Sequence, residues 1–126
     1  MQPNFHLSIS VCSIEESANF FIQVLRGRIT HRSPCRYLNV DLRGNEVILK
    51  ETSGPVSDDS DFHFGVNLSS SDFEALAKQI QTHHPNTWVQ TPRVVDAGTS
   101  LERRKMYLNC PTGYLIEIKG YPSLEK

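Results

Sequence analysis

The sequence has 126 residues and nearly equal numbers of basic and acidic side chains, 13 Lys and Arg against 14 Asp and Glu. The formal net charge of −1 argues against a protein built to bind nucleic acid or an anionic membrane. Hydrophobic residues make up 38% of the chain and charged residues 21%, which is typical of a globular protein long enough for one well-buried core.

The sequence also gives no indication of a membrane span or an export signal. No apolar run approaches the ~20 residues of a membrane-spanning helix, and the opening segment MQPNFHLSIS lacks the basic and apolar regions of a signal peptide. The three cysteines, Cys12, Cys35 and Cys110, form no CxxC pair and are odd in number, which suits free thiols in a reducing compartment. We therefore expect a cytoplasmic protein.

The first half of the chain is predicted to form one strand, one helix and three further strands. In residues 5–11 apolar side chains alternate with polar ones that include His6, the pattern of a half-buried strand. Ser13 and Glu16 form a capping box that predicts a helix start, and we expect Gly27 to end this helix. The strands that follow are predicted near 29–32 and at 37–42 and 46–51.

The second half repeats this order after a linker at 53–60 that is rich in turn residues. Residues 62–68 alternate again, with His63 at a polar position, and Ser71 and Glu74 form a second capping box. The later strands are predicted near 88–90 and at 105–110 and 114–121, with a Pro-x-Gly turn at 111–113. We therefore predict an α+β fold of two βαβββ modules, residues 4–52 and 61–121, in a single domain.

Three polar side chains occupy unusual strand positions. His6 and His63 lie opposite the apolar faces of their strands, and Glu117 interrupts an apolar strand. Burying an unpaired carboxylate is costly, and a metal ion with neutral imidazole ligands removes that cost. Aligning the halves at their turn glycines places Ile48 opposite Glu117, so three ligands with open positions are predicted, as in catalytic sites. The alternative is that the histidines are structural and that the glutamate lies at an exposed edge.

A resemblance to the vicinal oxygen chelate superfamily extends from about residue 5 to residue 121, in the segments FHLSISVCSIEESANFFIQVLRG, HFGVNLSSSDFEALAKQI and MYLNCPTGYLIEIKGY. The superfamily includes glyoxalase I, extradiol dioxygenases and the fosfomycin- and bleomycin-resistance proteins. The resemblance implies paired βαβββ modules whose curved mixed sheets enclose a metal cavity. It assigns His6, His63 and Glu117 as ligands of a divalent ion such as Fe(II), Mn(II) or Zn(II).

The ligand set implied by this resemblance narrows the chemistry. Two histidines and one glutamate resemble the extradiol dioxygenases and the fosfomycin-resistance enzymes, whereas glyoxalase I usually has a fourth protein ligand where this chain has Ile48. Tyr107 precedes Glu117 by ten residues, and a tyrosine at a comparable place contacts substrate in both enzyme groups. We therefore name Tyr107 as the catalytic candidate, a donor of a hydrogen bond to an oxyanion.

Two features of those enzymes are not found in the sequence. No histidine matches the acid–base histidine of an extradiol dioxygenase, since the remaining histidines are His31, His83 and His84. The last two are better placed to interact with the end of the second helix. The potassium loop of the fosfomycin-resistance enzymes is not visible in DAGTSLERRKMY.

The expected function is a metal-dependent enzyme acting on a small-molecule substrate with vicinal oxygens, with ring-cleaving extradiol dioxygenation as the leading reaction. The alternatives are a glyoxalase-like lyase, a fosfomycin-resistance-like thiol transferase and, in another class, a non-catalytic bleomycin-type binding protein. The resemblance further implies a homodimer in which His6 of one subunit meets His63 and Glu117 of the other. The rival arrangement is a monomer whose two modules pair within the chain.

Overall fold

A computed structural model of the protein describes residues 4–33, 37–53 and 62–124. The chain divides into two compact units, Met1–Asp59 and Ser60–Lys126, and each contains one four-stranded mixed sheet. Each unit runs strand, helix and three strands in chain order, so the predicted α+β fold of two βαβββ modules is confirmed. The predicted linker lies, apart from Ser53, outside the described residues.

The first unit has the strand order β1-β4-β3-β2, with β1 and β4 parallel and the other pairs antiparallel. Its elements are β1 (His6–Val11), α1 (Ile14–Asn19), β2 (Arg28–Ser33), β3 (Tyr37–Leu42) and β4 (Asn45–Glu51). A π-helical turn, Phe20–Val24, continues directly from α1.

The start of α1 follows the sequence prediction, but its end does not. Ser13 Oγ accepts a hydrogen bond from the Glu16 backbone N–H at 3.3 Å, as the capping box predicts. The helical segment then ends at Leu25, and Arg26 rather than Gly27 adopts the left-handed conformation, with φ of 64°. Gly27 is needed for space, because a Cβ there would lie 2.8 Å from Val40 Cγ1.

The second unit repeats the topology, with the strand order β5-β8-β7-β6 and a parallel β5–β8 pair. Its elements are β5 (His63–Ser69), α2 (Ser70–His83), β6 (Trp88–Val95), β7 (Arg103–Asn109) and β8 (Leu115–Tyr121), with short 3₁₀ turns at Pro85–Thr87 and Pro122–Leu124. The longest helix, α2, has 14 residues. No helix in the described part of the chain has the length and apolar character needed to cross a bilayer.

The predicted capping box at Ser71 and Glu74 is wrong. Ser69 caps α2, and its hydroxyl accepts a hydrogen bond from the Asp72 N–H at 3.1 Å. Ser69, Ser70 and Ser71 could each cap the helix, and Ser69, the last residue of β5, is the one that does so. Glu74 instead forms an exposed ion pair with Arg104.

Strand β6 is longer than predicted because it is an edge strand. It pairs with β7 alone, and the register shifts twice between Trp88 and Arg93, around Pro92. Proline has no N–H to donate to a ladder and is tolerated at such edges and bulges. The strand therefore continues past the proline to Val95.

Each unit buries the apolar face of its sheet together with its helix. In the first unit the most buried side chains include Val11, Phe21, Leu38, Val40 and Leu49. In the second they include Phe73, Ile80, Met106, Ile116 and Ile118. Helix α2 approaches β8 closely at Gly120, where a Cβ would lie 2.6 Å from Phe73 Cβ. Side chains alternate along a strand, so this packing directs the polar residues to the opposite face.

Candidate functional site

The polar face of the second sheet places several predicted site residues on neighbouring strands. The strand register sets Gly65 on β5 and Tyr107 on β7 against Glu117 on β8. Gln90 on β6 is opposite Tyr107, which completes a row across four strands. We call this the carboxylate row. It follows from the packing of the apolar face, since residues directly opposite one another share a face.

Glu117 is the centre of the candidate site. It is only 8% exposed, and the Tyr107 hydroxyl donates to its Oε2 at 2.5 Å. His63 Nε2 lies 3.8 Å from Oε1 of the same carboxylate, and the His63 and Tyr107 rings meet edge to face at 6.5 Å. The structure thus brings together three of the four predicted site residues within the second unit.

Two lysines that sequence reasoning did not assign also contact Glu117. Lys105 Nζ lies 3.4 Å from Oε2, and Lys119 Nζ lies 3.5 Å from Oε1. Lys105 lies two residues before Tyr107, and Lys119 lies two residues after Glu117. Each lysine therefore shares a strand face with a predicted site residue, and this spacing could have identified both. The buried carboxylate is paired with two ammonium groups.

These contacts set the ionisation of the site. Burial alone would raise the pKa of the Glu117 carboxyl, but the hydrogen bond from Tyr107 and the charges of Lys119 and Lys105 outweigh it, so that this pKa lies below its ordinary value. The contact with Tyr107, helped by Glu117, raises the pKa of Lys105 above its ordinary value despite some burial. At neutral pH the carboxylate is therefore ionised and the ammonium charged.

Gly65 is a positioning residue that the sequence analysis did not identify. A Cβ on Gly65 would lie 1.8 Å from the Glu117 backbone oxygen, so only glycine permits β5 to approach β8 at this point. Next to Tyr107 in the carboxylate row, the buried Gln90 Oε1 accepts no hydrogen bond from any residue that the structure describes.

His6 belongs to the first unit, where it is exposed on β1 and stands opposite Glu46 on β4. Asn39 Nδ2 donates to the Glu46 carboxylate at 3.1 Å. Within residues 4–33, 37–53 and 62–124, no group of three or more His, Cys, Asp or Glu side chains is arranged to hold a metal ion. The metal site of His6, His63 and Glu117 stays a prediction.

The donor chemistry of His63 and Glu117 fits a divalent ion. Imidazole nitrogen and carboxylate oxygen each bind Zn(II) at about 2.0–2.2 Å, so donors 3.8 Å apart can reach one ion between them. The two ammonium groups oppose this binding, since they stand at 3.4 and 3.5 Å from the same carboxylate. Their charges would weaken the binding of a divalent ion by Glu117.

The first sheet has the same strand register as the second, with different side chains at the matching positions. On β1, Ser8 lies two residues after His6 and stands opposite Ile48. On β5, Gly65 lies two residues after His63 and stands opposite Glu117. The predicted equivalence of Ile48 and Glu117 is thereby confirmed. Asn39 occupies the place of Tyr107 beside it.

The remaining histidines are not members of this row. His31 is exposed on β2, in the first unit. His83 is in the last turn of α2 and His84 follows it as the C-cap, with the two rings 6.3 Å apart. This is the helix end at which the sequence analysis expects them, where a positive charge interacts favourably with the helix dipole.

A cavity of about 740 Å³ begins beside Glu117 at Lys119 and continues to the end of β8. Its lining includes Leu101 and Pro122 together with charged and hydroxyl side chains, among them Asp96, Ser100, Arg103, Lys119, Tyr121 and Ser123. Arg103 Nη1 donates to Asp96 Oδ2 at 2.7 Å, and this contact raises the pKa of the guanidinium. Lys119 belongs both to the contacts of Glu117 and to the cavity wall.

No protein-family model matches the sequence, and no curated protein does. Solved structures match nearly the whole chain. A glyoxalase/bleomycin resistance protein/dioxygenase from Alicyclobacillus acidocaldarius is 21% identical, with a TM-score of 0.78 over 94% of this chain and 91% of that one. The fosfomycin resistance protein FosX from Listeria monocytogenes is 12% identical, with a TM-score of 0.76 over 96% and 94%. The chain has the vicinal oxygen chelate fold.

The fold expected from the sequence resemblance is therefore confirmed. TioX from Micromonospora sp. ML1 adds a further example of this fold, at 16% identity and a TM-score of 0.73 over 94% of this chain and 98% of that one. A glyoxalase/bleomycin resistance protein/dioxygenase, a fosfomycin resistance protein and TioX thus share this fold. The chemistry of this chain must be argued from its own side chains.

Proposed function

We propose that the protein is a metal-dependent enzyme that acts on a small molecule with vicinal oxygens, most closely a ring-cleaving extradiol dioxygenase. The observation that carries the proposal is the buried Glu117 carboxylate, with His63 at 3.8 Å and the Tyr107 hydroxyl at 2.5 Å. A buried acid, a base and a hydroxyl donor on one sheet face are more than the fold requires. A glyoxalase-like lyase or a fosfomycin-resistance-like thiol transferase is the alternative reaction.

Each residue has a separate role in this proposal. His63 and Glu117, with His6, hold the ion, which is Fe(II), Mn(II) or Zn(II). The bound ion supplies Lewis-acid polarisation of the two substrate oxygens. Tyr107 holds Glu117 in one orientation, and its hydroxyl would be the donor that stabilises an anionic oxygen of the substrate.

A second candidate function is metal-free binding of a small molecule, without catalysis. The observation that favours it is the pair of ammonium groups, Lys105 and Lys119, which already neutralise Glu117. The candidates differ in whether the purified protein retains metal. Elemental analysis of protein purified without added metal is therefore the first measurement.

The decisive experiment is anaerobic reconstitution with Fe(II), followed by oxygen-uptake assays on a panel of catechols. Turnover that is lost in Glu117→Gln and retained in Arg104→Gln supports the dioxygenase proposal. The control removes a charge whose ion pair is with Glu74, an exposed residue of α2. Activity on thiol adducts alone favours the thiol transferase. Absence of both metal and turnover contradicts the enzyme and leaves the binding protein.

We further propose that the working form is a homodimer with two shared sites, in which His6 of one subunit joins His63 and Glu117 of the other. Each sheet has two edge strands, β1 and β2 in the first unit and β5 and β6 in the second. Exposed edges and polar faces gain from a covering partner. A two-fold interface covers both copies of each patch at once.

A further inference from the structure

We propose that the ligand of the Glu117 site carries an anionic oxygen-acid group, such as a carboxylate, which Lys105 and Lys119 bind. The inference deepens the proposed function by naming a substrate class, and it rests on that proposal for the position of the vicinal oxygens. The lysines would then set specificity and take no part in the reaction itself.

The first argument is the alignment of like charges across the sheet. Lys105 and Lys119 stand directly opposite one another on β7 and β8, and Arg93 on β6 stands opposite Lys105. Asn67 on β5 completes this row, which we call the cationic row. Like charges directly opposite in a sheet repel one another. The single carboxylate of Glu117 contacts both ammonium groups, and an anionic ligand would add a second negative charge.

The charge balance around Glu117 is the second argument. One carboxylate stands against the two ammonium groups at 3.4 and 3.5 Å, which leaves a local surplus of one positive charge. A divalent ion on Glu117 would raise the surplus further. A neutral chelating ligand would leave this charge uncompensated in a site whose lysine side chains are only 18% and 33% exposed.

The third argument is that the fold does not require this row. At the matching positions of the first unit, Lys50 on β4 stands opposite Tyr37 on β3, and its ammonium lies over the Tyr37 ring at 5.5 Å. The first sheet thus has one cation where the second has two facing each other. The pair is a feature of the second unit alone.

The cavity supplies room for the body of such a ligand. It begins at Lys119 and extends for about 740 Å³, with Arg103 as a second cation on its wall. Its two acids are already engaged, because Asp96 accepts from Arg103 at 2.7 Å and Glu102 accepts from the Gly98 N–H at 2.9 Å. Lys119 is the cation of the cavity wall that also contacts Glu117.

The test compares two probes that differ only in a carboxylate, catechol and 3,4-dihydroxybenzoate, titrated calorimetrically into anaerobic Mn(II)-loaded protein. We expect 3,4-dihydroxybenzoate to bind at least about tenfold more tightly, the factor expected for one hydrogen bond to a charged group. Lys105→Met and Lys119→Met should each reduce that preference, and Lys119→Arg should retain it. Arg104→Met, which removes a cation paired with Glu74 on α2, should leave it unchanged.

Equal affinity for the two probes, or a preference that survives both methionine variants, would overturn the inference. Benzoate is titrated in parallel into metal-free protein, so that the result does not depend on metal binding. Benzoate binding that either lysine variant abolishes supports the anion site even where neither diol binds, a result that would count against the proposed enzyme. If benzoate does not bind and the two diols bind equally, the anion site is overturned, and the proposed enzyme function is unaffected.

Discussion

Glu117 is a buried acid whose partners explain why β8 tolerates it. Its neighbours Ile116 and Ile118 are fully buried, and Glu117 itself is only 8% exposed. An unpaired carboxylate in that position would be costly, but a hydroxyl and two ammonium groups surround this one. This cost predicts a partner for Glu117, and a metal ion is the partner expected from the sequence. The ammonium groups of Lys105 and Lys119 also offset the free-energy cost of burying this carboxylate.

Removing the Tyr107 hydroxyl tests its role at this scale. We expect Tyr107→Phe to lower the free energy of unfolding by about 1–3 kcal/mol, because Glu117 loses a hydrogen bond to a charged group. Turnover in the reconstituted enzyme should fall roughly 100-fold. Urea unfolding and steady-state assays measure the two effects. Tyr37→Phe in the first unit is the control, and equal losses in both variants would remove Tyr107 from the site.

The ionisation of Glu117 predicts a pH dependence of stability. Its folded-state pKa lies below the ordinary value of 4.5, so the folded protein binds this proton less tightly than the unfolded chain does. The ionised Glu117 carboxylate contributes its full stabilisation when the pH is above the ordinary pKa. This stabilisation is lost as the pH falls through the folded-state pKa. We expect the free energy of unfolding of metal-free protein to decline from about pH 5 downwards, by at most ~1.4 kcal/mol per pH unit from this group.

Urea titrations at several pH values measure this decline in wild-type protein and in Glu117→Gln. The variant should lack the component, whereas Glu15→Gln, at an exposed acid of α1, should keep it. An identical pH profile in wild type and Glu117→Gln would show that the carboxylate is not held by its neighbours.

Strands and helices were predictable to different degrees, for physical reasons. Alternation of apolar and polar residues located the strands well, since residues 37–42 were predicted and observed as β3. The cap of α2 was missed because neighbouring serines offer equivalent hydroxyls, and the path of β5 decides for Ser69. Gly65 was missed because its role depends on cross-strand register, which no single segment contains. Lys105 shares a strand face with Tyr107, but its contact with Glu117 also depends on the register of two strands.

The contact of β5 with β8 can be tested through Gly65. A methyl group there meets the Glu117 backbone oxygen, which cannot move without shifting β8. We expect Gly65→Ala to destabilise the protein by about 1–3 kcal/mol, as overpacking does, and to weaken metal binding because His63 moves away from Glu117. Asn67→Ala, on the same face of β5, is the control for stability, and its unfolding should match wild type within about 0.5 kcal/mol.

Assembly is the property of the whole molecule on which the proposed site depends. If metal sites are shared, a stable dimer should form and bury on the order of 2,000 Å² or more in total. Light scattering at micromolar concentration should give a mass near twice the 14.3 kDa of one chain. A stable mass near one chain would contradict the dimer.

Mixed variants test sharing directly. His6→Ala and Glu117→Ala each remove one ligand, so either homodimer has no intact set of three. In a mixed dimer with shared sites, one site regains His6, His63 and Glu117 together, and metal binding should return to about one ion per dimer. Separate sites in each subunit would regain none after mixing. Recovery by subunit exchange therefore distinguishes the dimer from the paired monomer.

The matching registers of the two sheets bear on how such a chain can diverge. Ser8 faces Ile48 in one copy and Gly65 faces Glu117 in the other, on the same backbone pattern. The same backbone pattern therefore accepts either an apolar side chain or an acid at this position, and the strand pairing does not change. In the first unit Ile48 and Asn39 stand where the second unit has Glu117 and Tyr107, so side-chain changes at these positions alter the chemistry of a sheet face without altering its register.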